Sequence, residues 1–266
     1  MPISNLHDEI LQITFEFGTL LQQQDQPHFG SLVSHVTRRW RRTALATPLL
    51  WTKILFEKNP YGSAYPERQI DRAAAFLARS MPLPVDVDIE GVEEEDFDHS
   101  DDAAPAFLQL IIIHIGRCRR LNITDGDRQG MAVINILTYI PFQAAPILNS
   151  IKVGHNYDET WGPKRPLFQL GAPHLMTADI EGISIPSIPD FLSNLQHLTS
   201  LRISVTFNQD IPGATYNKLR DSLMALPSLN HLDLTIHDIF MDMEPRLPII
   251  LPTLHFLQLD GDVGSY

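Results

Sequence analysis

The chain of 266 residues is 44% hydrophobic and 20% charged, the balance of a globular protein with a buried core and not of a disordered one. Its one cysteine, Cys118, excludes a disulfide framework and any multi-cysteine zinc site. The net charge of −12 is unevenly spread: residues 1–58 hold five acids and six bases, the rest 27 acids and 14 bases. So acidic a body repels phosphate backbones, and no nucleic acid is expected as a ligand.

In chain order, the first signal is helical. Leu6, Ile10, Leu11 and the run 13–17 make an apolar stripe, and Asp8 and Glu9 sit where the helix dipole favours acids. No basic or apolar leader of a secreted protein precedes it. The polar stretch 22–30, with Pro27 and Gly30, breaks this helix. A second helix is predicted through Leu32, Val33, Val36, Trp40 and Leu45, ended by Pro48. Beyond a linker with Pro60, Gly62 and Pro66, a third carries Ile70, Ala73, Ala74, Phe76 and Leu77. Apolar–polar alternation from Pro84 to Ile89 predicts a strand. The acid-dense segment 91–102 lacks the glycine and terminal glutamate of a calcium-binding EF-hand, and reads as a solvated loop. The longest apolar run, 107–115, falls short of the ~20 residues a membrane span needs. A soluble protein of the cytoplasm or nucleus, with no membrane contact, is expected.

From Cys118 onward the sequence repeats itself. Anchors and the positions three and five beyond them are Cys118/Leu121/Ile123, Leu148/Ile151/Val153, Leu175/Ala178/Ile180, Leu198/Leu201/Ile203, Leu229/Leu232/Leu234 and Leu254/Leu257/Leu259. Sixteen of these eighteen are Leu, Ile or Val, and Pro146, Pro173, Pro227 and Pro252 each stand two residues before an anchor. Anchor spacings of 30, 27, 23, 31 and 25 residues overlap those of leucine-rich repeats, each with one short parallel strand. The +3 and +5 side chains share a strand face that no repeat can bury without neighbours. Segments 107–115, 131–139, 191–195 and 216–226 are amphipathic and fit an outer helical layer, while 154–173 reads as an irregular loop. Nothing after Leu259 reads as a polar capping repeat, so the C-terminal edge is expected to be open and sticky, and the array incomplete there.

The N-terminal residues resemble a known pattern. Leu6, Glu9, Ile10, Leu11, Phe15 and Phe17, then Leu32, Val33, Ser34, Val36, Arg38, Arg39, Trp40, Arg41, Ala44 and Leu45, and finally Leu50 and Trp51 are similar to the F-box-like form of expanded fungal families. Trp51-Thr52-Lys53-Ile54, Phe76-Leu77, Arg79-Ser80, Pro82-Leu83 and the following strand continue that resemblance into irregular leucine-rich repeats. It implies an α/β protein: a small N-terminal all-α F-box-like module followed by a leucine-rich-repeat solenoid, with parallel strands and irregular helices outside. The expected divisions are 1–58 for the module, 59–82 for a linker and connecting helix, and 83–266 for the repeats. The implied function is a substrate receptor of a cullin–RING (SCF-type) ubiquitin ligase. Its F-box would dock a Skp-family adaptor and through it a cullin, and its repeats would bind an unidentified target protein. The alternative is a leucine-rich-repeat interaction scaffold, with the N-terminal helices acting only as a cap.

Leu6, Ile10, Leu11, Val33, Val36 and Trp40 are the candidates for the adaptor contact, divided between module core and surface. Residues that alternate with the buried repeat positions face outward, and the target-binding candidates are Lys152, Asp179, Glu181, Arg202, His231, Asp233, Phe256 and Gln258. Their acids read as an acidic face for a basic target, with Phe256 as an apolar anchor. Arg38, Arg39, Arg41 and Arg42 surround Trp40; their stems read as covering the module, ahead of a contact to nucleic acid. The eleven histidines form no helical metal-ligand pair, and Cys118 occupies a core anchor, flanked by Arg117, Arg119 and Arg120. No nucleophile elbow, P-loop or dinucleotide fingerprint is present, so no catalytic residue, metal or cofactor is expected.

Overall fold

The computed structural model describes residues 6–22, 27–57, 67–92, 106–125, 136–137, 140, 143–154, 162, 166–206, 213–237 and 247–262. Three short helices come first: α1 (Asp8–Leu20), α2 (Phe29–Ser34) and α3 (Arg38–Leu45), closed by a 3-10 turn at Pro48–Trp51. β1 (Lys53–Glu57), α4 (Glu67–Arg79), β2 (Val85–Val92), α5 (Ala106–His114) and β3 (Cys118–Asp125) follow. Then come β4 (Ser150–Gly154), β5 (Thr177–Glu181), α6 (Ile188–Leu192), β6 (Ser200–Thr206), α7 (Gly213–Met224), β7 (His231–His237) and β8 (Phe256–Asp262). The eight strands form one sheet in chain order, each parallel to the next. The protein is therefore α/β.

The repeating triplets emerge as rows across this sheet. Leu121, Ile151, Ala178, Leu201, Leu232 and Leu257 stand side by side, as do Ile123, Val153, Ile180, Ile203, Leu234 and Leu259. The anchors Cys118, Leu148, Leu175, Leu198 and Leu229 are buried as well. One backbone pattern recurs behind the later anchors: Ser200 N–H donates to Met176 C=O, His231 to Thr199, and Phe256 to Asn230, each at 3.0 Å. Leu201, sealed in the middle of its row, would cost about 3 kcal/mol on truncation to alanine.

Two boundaries differ from the expectation. The sheet begins at Lys53, not at residue 83: Ile54 pairs with Val87 and Phe56 with Ile89, which extends both apolar rows to the first strand. Leu55 between them hides the alternation, so residue 58 marks no break in the core. The predicted second helix is two. Thr37 is extended, its hydroxyl accepts the Trp40 N–H at 3.1 Å, and α3 restarts from that cap. The acid-dense loop, most of the linker and most of 131–139 and 154–165 lie outside the described residues.

Arg117 ties α4 to β2: its guanidinium donates to Ser80 Oγ at 3.0 Å and Leu83 C=O at 2.9 Å, and also to Leu77 C=O. Carbonyls at a helix end, which lack intrahelical partners, are satisfied in this way. The module's own core is aromatic. Phe15 packs edge-on against Trp40 at 5.1 Å, and Trp51 donates its indole N–H to Ala44 C=O at 2.9 Å. Arg79 of α4 lies 4.7 Å over the Trp51 ring.

His28 joins the module to α4. Its ring lies 4.4 Å from Phe76 and 5.5 Å from Trp51, and Nδ1 accepts the Ser31 N–H at 3.2 Å, capping α2. Burial, followed by the like charges of Arg72 and Lys53, lowers its pKa from the ordinary 6.5 to about 4. The unfolded chain takes up this proton near pH 6.5 and the folded chain only near 4. The stabilisation is therefore complete above pH 6.5 and is lost as pH falls towards 4. Urea unfolding at neutral and acid pH should show a loss on the order of 2 kcal/mol from this group, allowing for its partial exposure. His28→Asn keeps a capping acceptor but takes no proton, so it should lose correspondingly less; equal losses would exclude His28 as the titrating group.

Candidate interaction surfaces

The helical module presents apolar residues on two sides. Leu11, Phe15 and Thr19 of α1, at a spacing of four, point into the core. Ile10, Ile13, Phe17, Leu20 and Leu21 do not: Phe17 is 61% and Leu21 79% exposed. Leu32 and Val36 after it are more than half exposed, and Leu45 over a third. So many large apolar side chains in water on one small module make it a candidate interaction surface.

The six expected adaptor residues separate accordingly. Ile10 and Val36 are on this surface, and Leu6 and Trp40 are half-buried against the core. Leu11 and Val33 are core residues, 1% and 5% exposed, and fall on the core side of that division. Ile13, Phe17, Leu20, Leu21, Leu32 and Leu45 join the surface instead. Their signal is in the sequence: positions 10, 13, 17, 20 and 21 form a second helical stripe opposite 11, 15 and 19.

Arginines border the module. Arg39 Nε donates to Asp8 Oδ1 at 2.7 Å and Arg42 to Asp8 Oδ2 at 3.2 Å, which joins α3 to the first turn of α1. The Arg39 hydrogen bond, with Arg42 adding to it, holds the Asp8 carboxyl below the usual carboxylate range. Arg38 and Arg41 are exposed.

The second surface is the sheet face opposite the buried rows. Asp88, Asn122, Lys152, Asp179, Arg202, Asp233 and Gln258 stand side by side across β2 to β8. The charges alternate and meet: Lys152 Nζ is 3.7 Å from Asp179 and 3.2 Å from Glu181, and Arg202 is 2.7 Å from Asp233 and 3.9 Å from Asp179. Gly154 leaves room for this cluster, since a Cβ there would lie 2.9 Å from Glu181 Oε2.

The expected open acidic face is thus corrected: Asp179, Glu181 and Asp233 are paired with Lys152 and Arg202 in parallel register. Asp233 is 4% exposed, so its carboxylate depends on Arg202 and is not a free surface acid. Burial raises the pKa of Asp179, against the opposing pull of Lys152 and Arg202. Burial also raises that of Asp88, against a hydrogen bond from Asn122. Asn122 Oδ1, Asp179 Oδ1 and Asp233 Oδ1 are buried acceptors with no donor among the described residues. At the end of the neighbouring row, His231 and Phe256 stack at 4.3 Å with their planes 10° apart. Phe256 is 45% exposed.

Cys118 is buried, as its anchor position requires, and burial pushes its thiol up to about 12. Among the described residues no group of three or more His, Cys, Asp or Glu is arranged to hold a metal ion, and no helix is long and apolar enough to cross a membrane. The chain matches no protein-family model and no curated protein sequence.

Two measurements check this arrangement. The Cys118 thiol should be unreactive towards a disulfide reagent at pH 8 in the folded protein and titrate fully in denaturant; fast native labelling would contradict its burial. Arg202→Ala leaves the Asp233 carboxylate buried beside no cation, and should destabilise the fold by about 2 kcal/mol, the half-exposed guanidinium moderating the loss. An unchanged denaturation midpoint would show that the pair adds nothing.

Proposed function

We propose that this protein is a substrate receptor of a cullin–RING ubiquitin ligase. The helical module docks a Skp-family adaptor, and a leucine-rich-repeat array holds the target protein. One observation carries the proposal: the exposed apolar side chains of α1 to α3, from Ile10 and Phe17 to Val36 and Leu45. A module that only capped the first strand would need its inner side alone, where Leu11, Phe15, Leu50 and Trp51 are buried, and would keep its outer side polar. The outer apolar surface has no role in a cap, which favours the receptor over the scaffold. Its chemistry also suits docking: apolar residues at the centre with Arg38 and Arg41 exposed nearby fit a partner of apolar and acidic character.

Six triplets, with sixteen of their eighteen positions Leu, Ile or Val, and eight parallel strands in chain order support the repeat reading. In that reading the outward face of the sheet receives the target. Arg202, His231 and Phe256 offer planar, partly exposed groups. Ubiquitin transfer takes place on other subunits.

The test is co-purification with a Skp-family adaptor. Ile13→Asp with Phe17→Asp places two charges on exposed positions, so the thermal midpoint should hold while adaptor capture falls at least tenfold. Leu11→Asp should instead unfold the module, at a cost of several kcal/mol, because it buries a carboxylate. A parent that captures no adaptor, or a double variant that captures it undiminished, would overturn the assignment.

A further inference from the structure

We draw no further inference here: the strongest candidate, the cleft of about 310 Å³ between α6 and α7 lined by Leu192, Ser193, Asp221, Ser222 and Leu226, carries nothing because nothing in the structure shows what fills it.

Discussion

The parallel register between successive strands is the constraint on which the rest of this structure depends. No strand here can satisfy its backbone or bury its two apolar residues without its neighbour. Leu201 is sealed because Ala178 stands on one side and Leu232 on the other. A slip of one residue would turn both leucine rows to solvent and bring the charges inside, which is why the register holds although 23 to 31 residues separate the anchors. Cooperativity follows from the same fact: truncation at one position weakens the contacts of two strands on either side.

Register also dictates the electrostatics of the opposite face. In a parallel stack, equivalent positions lie ~4.8 Å apart, and identical charges there would repel along the whole row. The row through Lys152, Asp179, Arg202 and Asp233 avoids this by alternating sign. Those side chains are consequently held by each other. In the proposed receptor, what pairing leaves over on this face is the stacked rings of His231 and Phe256 and the half-exposed Arg202 side chain. Of the residues expected to meet a target, Arg202, Phe256 and Gln258 are exposed, while Asp233 serves the sheet.

The sequence carried the rows plainly because each repeat spells the same apolar spacing, and sixteen of eighteen positions obey it. It hid the first strand because Leu55 is apolar like its neighbours and breaks the period of two. It hid the break between α2 and α3 because Leu32, Val33, Val36 and Trp40 fit one continuous helix, and only the Thr37 hydroxyl marks the restart. The module's surface was half legible. Periodicity identifies Leu11 and Phe15 as one stripe and Ile10, Ile13 and Phe17 as another, but which stripe faces the core depends on Trp40 and Phe29, which come from other helices. On the sheet, the alternation of charge was present in the aligned columns. The near-complete burial of Asp233 was not, because it depends on how Arg202 lies over it.

The two ends of the molecule differ in a way that bears on how it works. One apolar core runs from Leu11 in the first helix to Leu234 in the seventh strand. The aromatic contacts of His28 and Trp51 with Phe76 join the helical module to α4, which packs on β1 within that core, so packing and not a linker sets how the module meets the sheet. The first 58 residues carry a net charge of +1 and the remainder −13. A partner attracted to the apolar module with its exposed arginines is therefore not attracted to the sheet, and the two surfaces do not compete for one ligand. The proposed receptor, which would hold a target at a defined place relative to an adaptor, requires both properties: two chemically distinct surfaces, and continuous packing between them.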